Sequence, residues 1–125
     1  MDAKWLGIGA LNGLLGVAAG AFGAHFLKHW LSADGLTTFE TAARYQMYHA
    51  LALLAISVLA YGRPSVTVSA AGWCMLLGIV LFSGSLYGLT LGGWMWLGPI
   101  TPLGGLLLMA GWLLLVVAAF GAHRG

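Results

Sequence analysis

"FETAARYQMYHALALLAISVLAYG", residues 39–62, opens polar and closes apolar. Glu40, Arg44, Gln46 and His49 stand in its first turns, and the apolar run starts only at Ala50. A helix with this pattern either enters a membrane through a polar mouth or buries one face in a soluble core. The rest of the chain decides between them. Of its 125 residues 61% are hydrophobic and 6% are charged, where a soluble domain carries about 25% charged residues. Between Pro64 and Ala122 there is no Asp, Glu, Lys or Arg. About 18 apolar residues suffice for one membrane span, so this charge-free stretch is long enough for two.

Four spans follow, at about residues 5–27, 42–61, 66–91 and 101–120. Gly62-Arg63-Pro64 ends the second, and Gly92, Gly93 and Pro99 separate the third from the fourth. Thr101-Pro102 offers an N-cap followed by proline at the first helical position. The first stretch, with "VAAGAFGA", also imitates a secretory signal with its small-residue cleavage pattern. Its length is that of a span, and it is expected to be retained. Continuous apolar runs without alternation exclude a β-barrel. The expectation is all-α: an integral membrane four-helix bundle in one domain, 1–125. An amphipathic interfacial segment, His25 to Gln46, lies between the first and second spans.

The net charge of +2 comes from scattered basic residues that form no patch, so no nucleic-acid partner is expected. The single Cys74 sits in "GWCMLLG", where a thiol packs as a small hydrophobe. Lys4, Arg63 and Arg124 fall on the side of the termini, against Lys28 and Arg44 on the other. The positive-inside rule therefore puts both termini in the cytoplasm. Trp5, Trp30, Trp94 and Trp96 fall near the span ends, as aromatic belts do.

The candidate polar cluster is His25, Glu40, Arg44, Tyr45, Gln46, Tyr48 and His49. At about 100° per residue, Glu40, Arg44 and Tyr48 share one arc, which Thr41, Tyr45 and His49 continue. Ala43, Met47, Ala50 and Leu54 lie opposite. Two readings stand. Either Glu40 and Arg44, spaced i, i+4, form an ion pair that anchors the helix, or the cluster lines a polar pocket with Asn12 or Ser83. His25 and His29 have metal-ligand spacing, but nothing completes a zinc set, so neither metal nor cofactor is expected. No nucleophile–base pair, phosphate loop or dinucleotide fingerprint is present, and the chain does not read as an enzyme. Gly9, Gly13, Gly16 and Gly20, like Gly84, Gly88 and Gly92, form small-residue rows for helix packing. Dimerisation through one row is the alternative. "GAFGAH" and "AAFGAH" end the first and fourth spans on opposite faces, about 30 Å apart. His25 and His123 therefore cannot share a site, and the repeat is coincidence.

"GAFGAH", "FETAARYQMYHALALL", "LFSGSLYGLTL" and "LGPITPLGGLLLMAGW" together resemble the bacterial domain of unknown function 423 family, which is similar to eukaryotic transmembrane protein 256. The resemblance runs from the first span to Trp112. It implies a small polytopic protein of the bacterial inner membrane and no particular reaction. It also implies key positions at Gly23, His25, Phe39, Glu40, Tyr45, Gln46 and His49, and at Ser83, Gly84, Ser85, Tyr87, Thr101, Pro102 and Gly104. The expected function is a structural or accessory subunit, or a binder of lipid or another apolar ligand. The alternative is a small oligomeric transporter or channel. The expected partners are the lipid bilayer and a second copy or another membrane protein.

Overall fold

A computed structural model describes residues 2–122. Among these residues there are four long helices and no strand: α1 (Ala3–Leu27), α2 (Ala33–Gly62), α3 (Val66–Gly92) and α4 (Ile100–Ala122). Small polar residues set their starts. The Asp2 carboxylate accepts the Lys4 and Trp5 amides, the Ser32 hydroxyl the Gly35 amide, and the Ser65 hydroxyl the Val68 amide; each satisfies donors that a first turn leaves free. Gly93, at φ 66°, stops α3 in the left-handed conformation that glycine adopts without a Cβ clash. A 3-10 turn, Met95–Leu97, then leads into α4. His123 and Arg124 lie outside the described residues.

Ala3–Leu27, Val66–Gly92 and Met95–Gly121 are long and apolar enough to cross a membrane, by length and composition. The helix α2 is not among them, since its first half carries Arg44, Gln46 and His49. The stretch from His25 to Gln46 is not a separate element. It divides between the end of α1, a short turn, and the first turns of α2. The cause is the Ser32 cap, from which the helix runs unbroken to Gly62.

Successive helices run antiparallel. Gly9 and Gly16 of α1 face Ala50 and Met47 of α2, Ser83 of α3 bonds to Ala42, and Gly78 of α3 faces Leu108 of α4. The main core lies toward the Arg63 turn, where Trp5, Leu53, Ile56, Ala71 and Met75 are fully or almost fully buried. Trp5 is thus packed inside, edge-on to Trp73 with ring centroids 5.3 Å apart. Trp30, Trp94 and Trp96 are exposed near the opposite end.

The glycine rows divide. A Cβ on Gly9 would come within 3.0–3.1 Å of Leu54, Ala50 and Leu53, whereas one on Gly13 or Gly84 would meet nothing within 4 Å. The expected row 84–88–92 is therefore not one contact face. Gly84 lies about 100° from buried Ser83 and from buried Ser85, beside exposed Leu77 and Val80. Gly88 and Gly92 pack on Leu97 and Trp94 of their own connection, and from Gly88 the helix widens into a π turn. The close approach of α3 to α4 rests on Gly104, where a Cβ would fall 2.7 Å from the Phe82 Cα.

Gly104→Ala should therefore destabilise the fold by about 1–3 kcal/mol through overpacking, while Gly84→Ala should be neutral or slightly stabilising. Reversible unfolding in mixed detergent micelles measures both. Equal effects would refute the assignment of the α3–α4 contact.

Candidate functional site

The polar residues of α2 part company around the helix. Gln46 and His49 point into the protein and are buried, while Glu40, Arg44 and Tyr48 point outward. Gln46 lies about 160° from Arg44 around the axis, so one helix presents polarity on both sides. His49, expected on the arc of Tyr48, is about 100° past it and turned inward. His25 is exposed at the end of α1, near Phe26, and does not join the others.

Inside, Gln46 links three helices. Its Nε2 donates to Asn12 Oδ1 on α1 at 3.1 Å, and its Oε1 accepts from the Tyr87 hydroxyl on α3 at 2.8 Å. Asn12 Nδ2 in turn donates to the Ile8 carbonyl at 2.9 Å. The donors all run one way, from Tyr87 through Gln46 and Asn12 to a backbone oxygen, the arrangement in which hydrogen bonds polarise one another. Phe39 packs against Tyr87, with ring centroids 5.2 Å apart and the planes tilted by 59°. Gly23 makes room for Phe39, since a Cβ there would come within 3.0 Å of the ring. Ser83 Oγ donates to the Ala42 carbonyl at 2.7 Å, and Ser85 shares a 2.5 Å hydrogen bond with Thr101 of α4.

His49 makes the link to α4. Its Nδ1 lies 2.6 Å from the Tyr45 carbonyl, and its Nε2 lies 3.1 Å from Trp112 Nε1. A carbonyl only accepts and an indole N–H only donates. Both bonds therefore form together only in the neutral tautomer with the proton on Nδ1. Tyr45 packs over this pair, 4.7 Å from the Phe82 ring. Among the described residues, no buried side-chain nitrogen or oxygen lacks a partner.

The outer set behaves differently. Among the described residues no ion pair joins Glu40 to Arg44, and both side chains are exposed. An exposed i, i+4 pair yields only about 0.3–0.5 kcal/mol, too little to fix two long side chains. With Tyr48 they rim a groove on the α1–α2 seam. A second hollow, of about 400 Å³, lies beside His49 and Trp112. A cleft of about 500 Å³ opens at the other end of the molecule around Arg63. Among the described residues no group of three His, Cys, Asp or Glu could hold a metal ion.

Sequence reasoning named Asn12 and Ser83 as partners of the cluster but left out Trp112, and took Tyr87 only from the family motifs. A usable signal was present for both. An indole N–H or a phenol inside a span has no water to bond and needs an acceptor on another helix, and Gln46 and His49 are acceptors at that depth.

The family description "Protein of unknown function (DUF423)" matches residues 19–105. A UPF0382 membrane protein of Staphylococcus saprophyticus is 50% identical over 113 residues, covering 90% of this chain and 93% of the relative. The UPF0382 membrane protein YwdK of Bacillus subtilis is 47% identical over 113 residues, 90% of this chain and 92% of the relative. No solved structure matches this chain.

Interhelical hydrogen bonds in membranes average about 0.6 kcal/mol and reach about 1.7. Gln46→Leu, which removes two, should cost about 1–3 kcal/mol, and Trp112→Phe about 0.6 kcal/mol. A double-mutant cycle between Gln46→Leu and Tyr87→Phe should show positive coupling. Strict additivity in detergent unfolding would mean that the network does not hold the helices together.

Proposed function

The chain belongs to the DUF423 family, whose relatives at 50% identity are named membrane proteins, and on that premise we propose that it crosses the bilayer four times as a small helical bundle that binds a lipid or other apolar ligand without changing it chemically. For α2 as the fourth span, length is the support. From Arg44 to Arg63 the helix rises about 29 Å at 1.5 Å per residue, close to the 30 Å hydrocarbon thickness. The turns before Arg44 then lie in the interface as its amphipathic part, with exposed Trp30, Trp94 and Trp96 at that end. The Lys/Arg distribution favours termini in the cytoplasm, and the bacterial relatives named as membrane proteins support the inner membrane of a bacterium as the location.

The observation that carries the binding role is the cleft at the Arg63 end. It measures about 500 Å³, is walled by Leu59, Val68, Leu115 and Ala118, and has Arg63, Ser65 and Thr67 at its polar side. Ligand sites typically fall between about 300 and 1,000 Å³, with mostly apolar walls and a few polar groups. An amphiphile fits, its chain against the leucines and its polar end at Arg63.

Ala118→Phe should fill this cleft and lower by one the number of apolar adducts retained through purification, read in native mass spectra with thermal stability kept. Wild-type protein that carries no adduct, or a variant that carries as many, would overturn the reading. A C-terminal reporter active only outside the cytoplasm should stay silent; a strong signal would reverse the orientation.

A further inference from the structure

The groove on the α1–α2 seam is separate from the Arg63 cleft. Gly16, Gly20, Ala43 and Met47 form its floor, and Glu40, Arg44 and Tyr48 its rim, around a volume of about 380 Å³. The floor is open because Gly20 has no side chain, and a Cβ there would meet only Ala43, at 3.9 Å. The three rim residues are exposed and stand four residues apart on one face of α2, a rise of about 6 Å per step. With Arg44 at the hydrocarbon edge, Glu40 sits one turn out among the headgroups and Tyr48 one turn in. From water inward the rim offers an anion, a cation and a phenol, and the small-residue floor of Gly20, Ala43 and Gly16 runs beside them at the same depths.

We propose that this groove binds a glycerophospholipid with a primary-amine headgroup, of the phosphatidylethanolamine type. The lipid presents the complementary order: ammonium outermost, then phosphate, then ester carbonyls, then an acyl chain. Glu40 accepts from the ammonium, Arg44 donates to the phosphate, and Tyr48 donates to an ester oxygen. The phosphate and glycerol lie over Gly20 and Gly16, and the acyl chain continues inward past Tyr48. A choline headgroup has no N–H to give Glu40, and a purely anionic headgroup leaves that carboxylate facing negative charge. A second copy fits less well. Its two-fold axis runs along the membrane normal, and sets Glu40 opposite Glu40 and Arg44 opposite Arg44 at equal depth.

The order of depths rests on the four-span reading, and the two are tested apart. Purified full-length protein is titrated with dioleoyl phosphatidylethanolamine, phosphatidylcholine and phosphatidylglycerol, and adducts are counted by native mass spectrometry. Ethanolamine should be preferred roughly tenfold, the scale of one charge-assisted hydrogen bond. Glu40→Ala should erase that preference while total binding persists, and Arg44→Gln should weaken all three lipids. Equal binding of the three by wild-type protein, or an unchanged preference in Glu40→Ala, overturns the proposal. So does a dimer that Arg44→Gln converts to monomer with no lipid preference, which assigns the groove to a second copy. In a Cys74→Ala background, Thr37→Cys and Ser65→Cys should be labelled from opposite sides of a vesicle. Labelling from the same side overturns the four-span reading and the depth order with it.

Discussion

A buried hydrogen-bonding group has no water to turn to, and each one must meet a partner on another helix or on its own backbone. This constraint organises the molecule around α2. Gln46 reaches α1 and α3, His49 reaches α4, and the Ala42 carbonyl takes the Ser83 hydroxyl. Apolar packing between helices is nearly as good against lipid tails as against a neighbour, so it sets contact distance more than contact identity. The directed bonds select which helix faces which.

Glycines set how near the helices come. At Gly104 the two backbones approach so closely that no side chain fits, and at Gly72 the Trp5 ring occupies the place of a Cβ. These contacts hold opposite halves of the structure. Trp5 and its neighbours close the end near Arg63, while Gln46, Tyr87 and Phe39 lock the other. The interior is apolar where helices meet on side-chain shape and polar where they meet on partner choice.

Much of this was legible from residue order alone. Charge-free length marked α1, α3 and α4, and Ser32, Ser65 and Gly93 mark boundaries by ordinary capping and turn chemistry. The polar cluster was recognised as special but read as one arc, because an arc of about 180° on a helical wheel spans both a seam and an outer face. What divides it is where α1 and α3 sit, which no local period contains. The glycine rows failed at Gly84 for the same reason: spacing of four shows which residues share a face, not which face is covered. Trp112 escaped because its partner His49 is 63 residues away.

The two sides of α2 therefore answer to different solvents. Among the described residues every buried side-chain nitrogen and oxygen has a hydrogen-bond partner, and the neutral His49 tautomer is fixed by having a pure acceptor on one nitrogen and a pure donor on the other. Among the described residues Glu40 and Arg44 form no ion pair and are exposed, and on the four-span reading they stand at the depth where hydrocarbon gives way to headgroups. A charge in that zone costs little when a counter-charge is at hand, and the bilayer supplies ammonium and phosphate there in a fixed order. A bare Glu40–Arg44 pair would gain too little from each other to hold their geometry. Their spacing has a physical use when each meets a different group of one molecule, and on the proposed lipid reading the exposed edge of α2, rather than its buried network, is where headgroup selection resides.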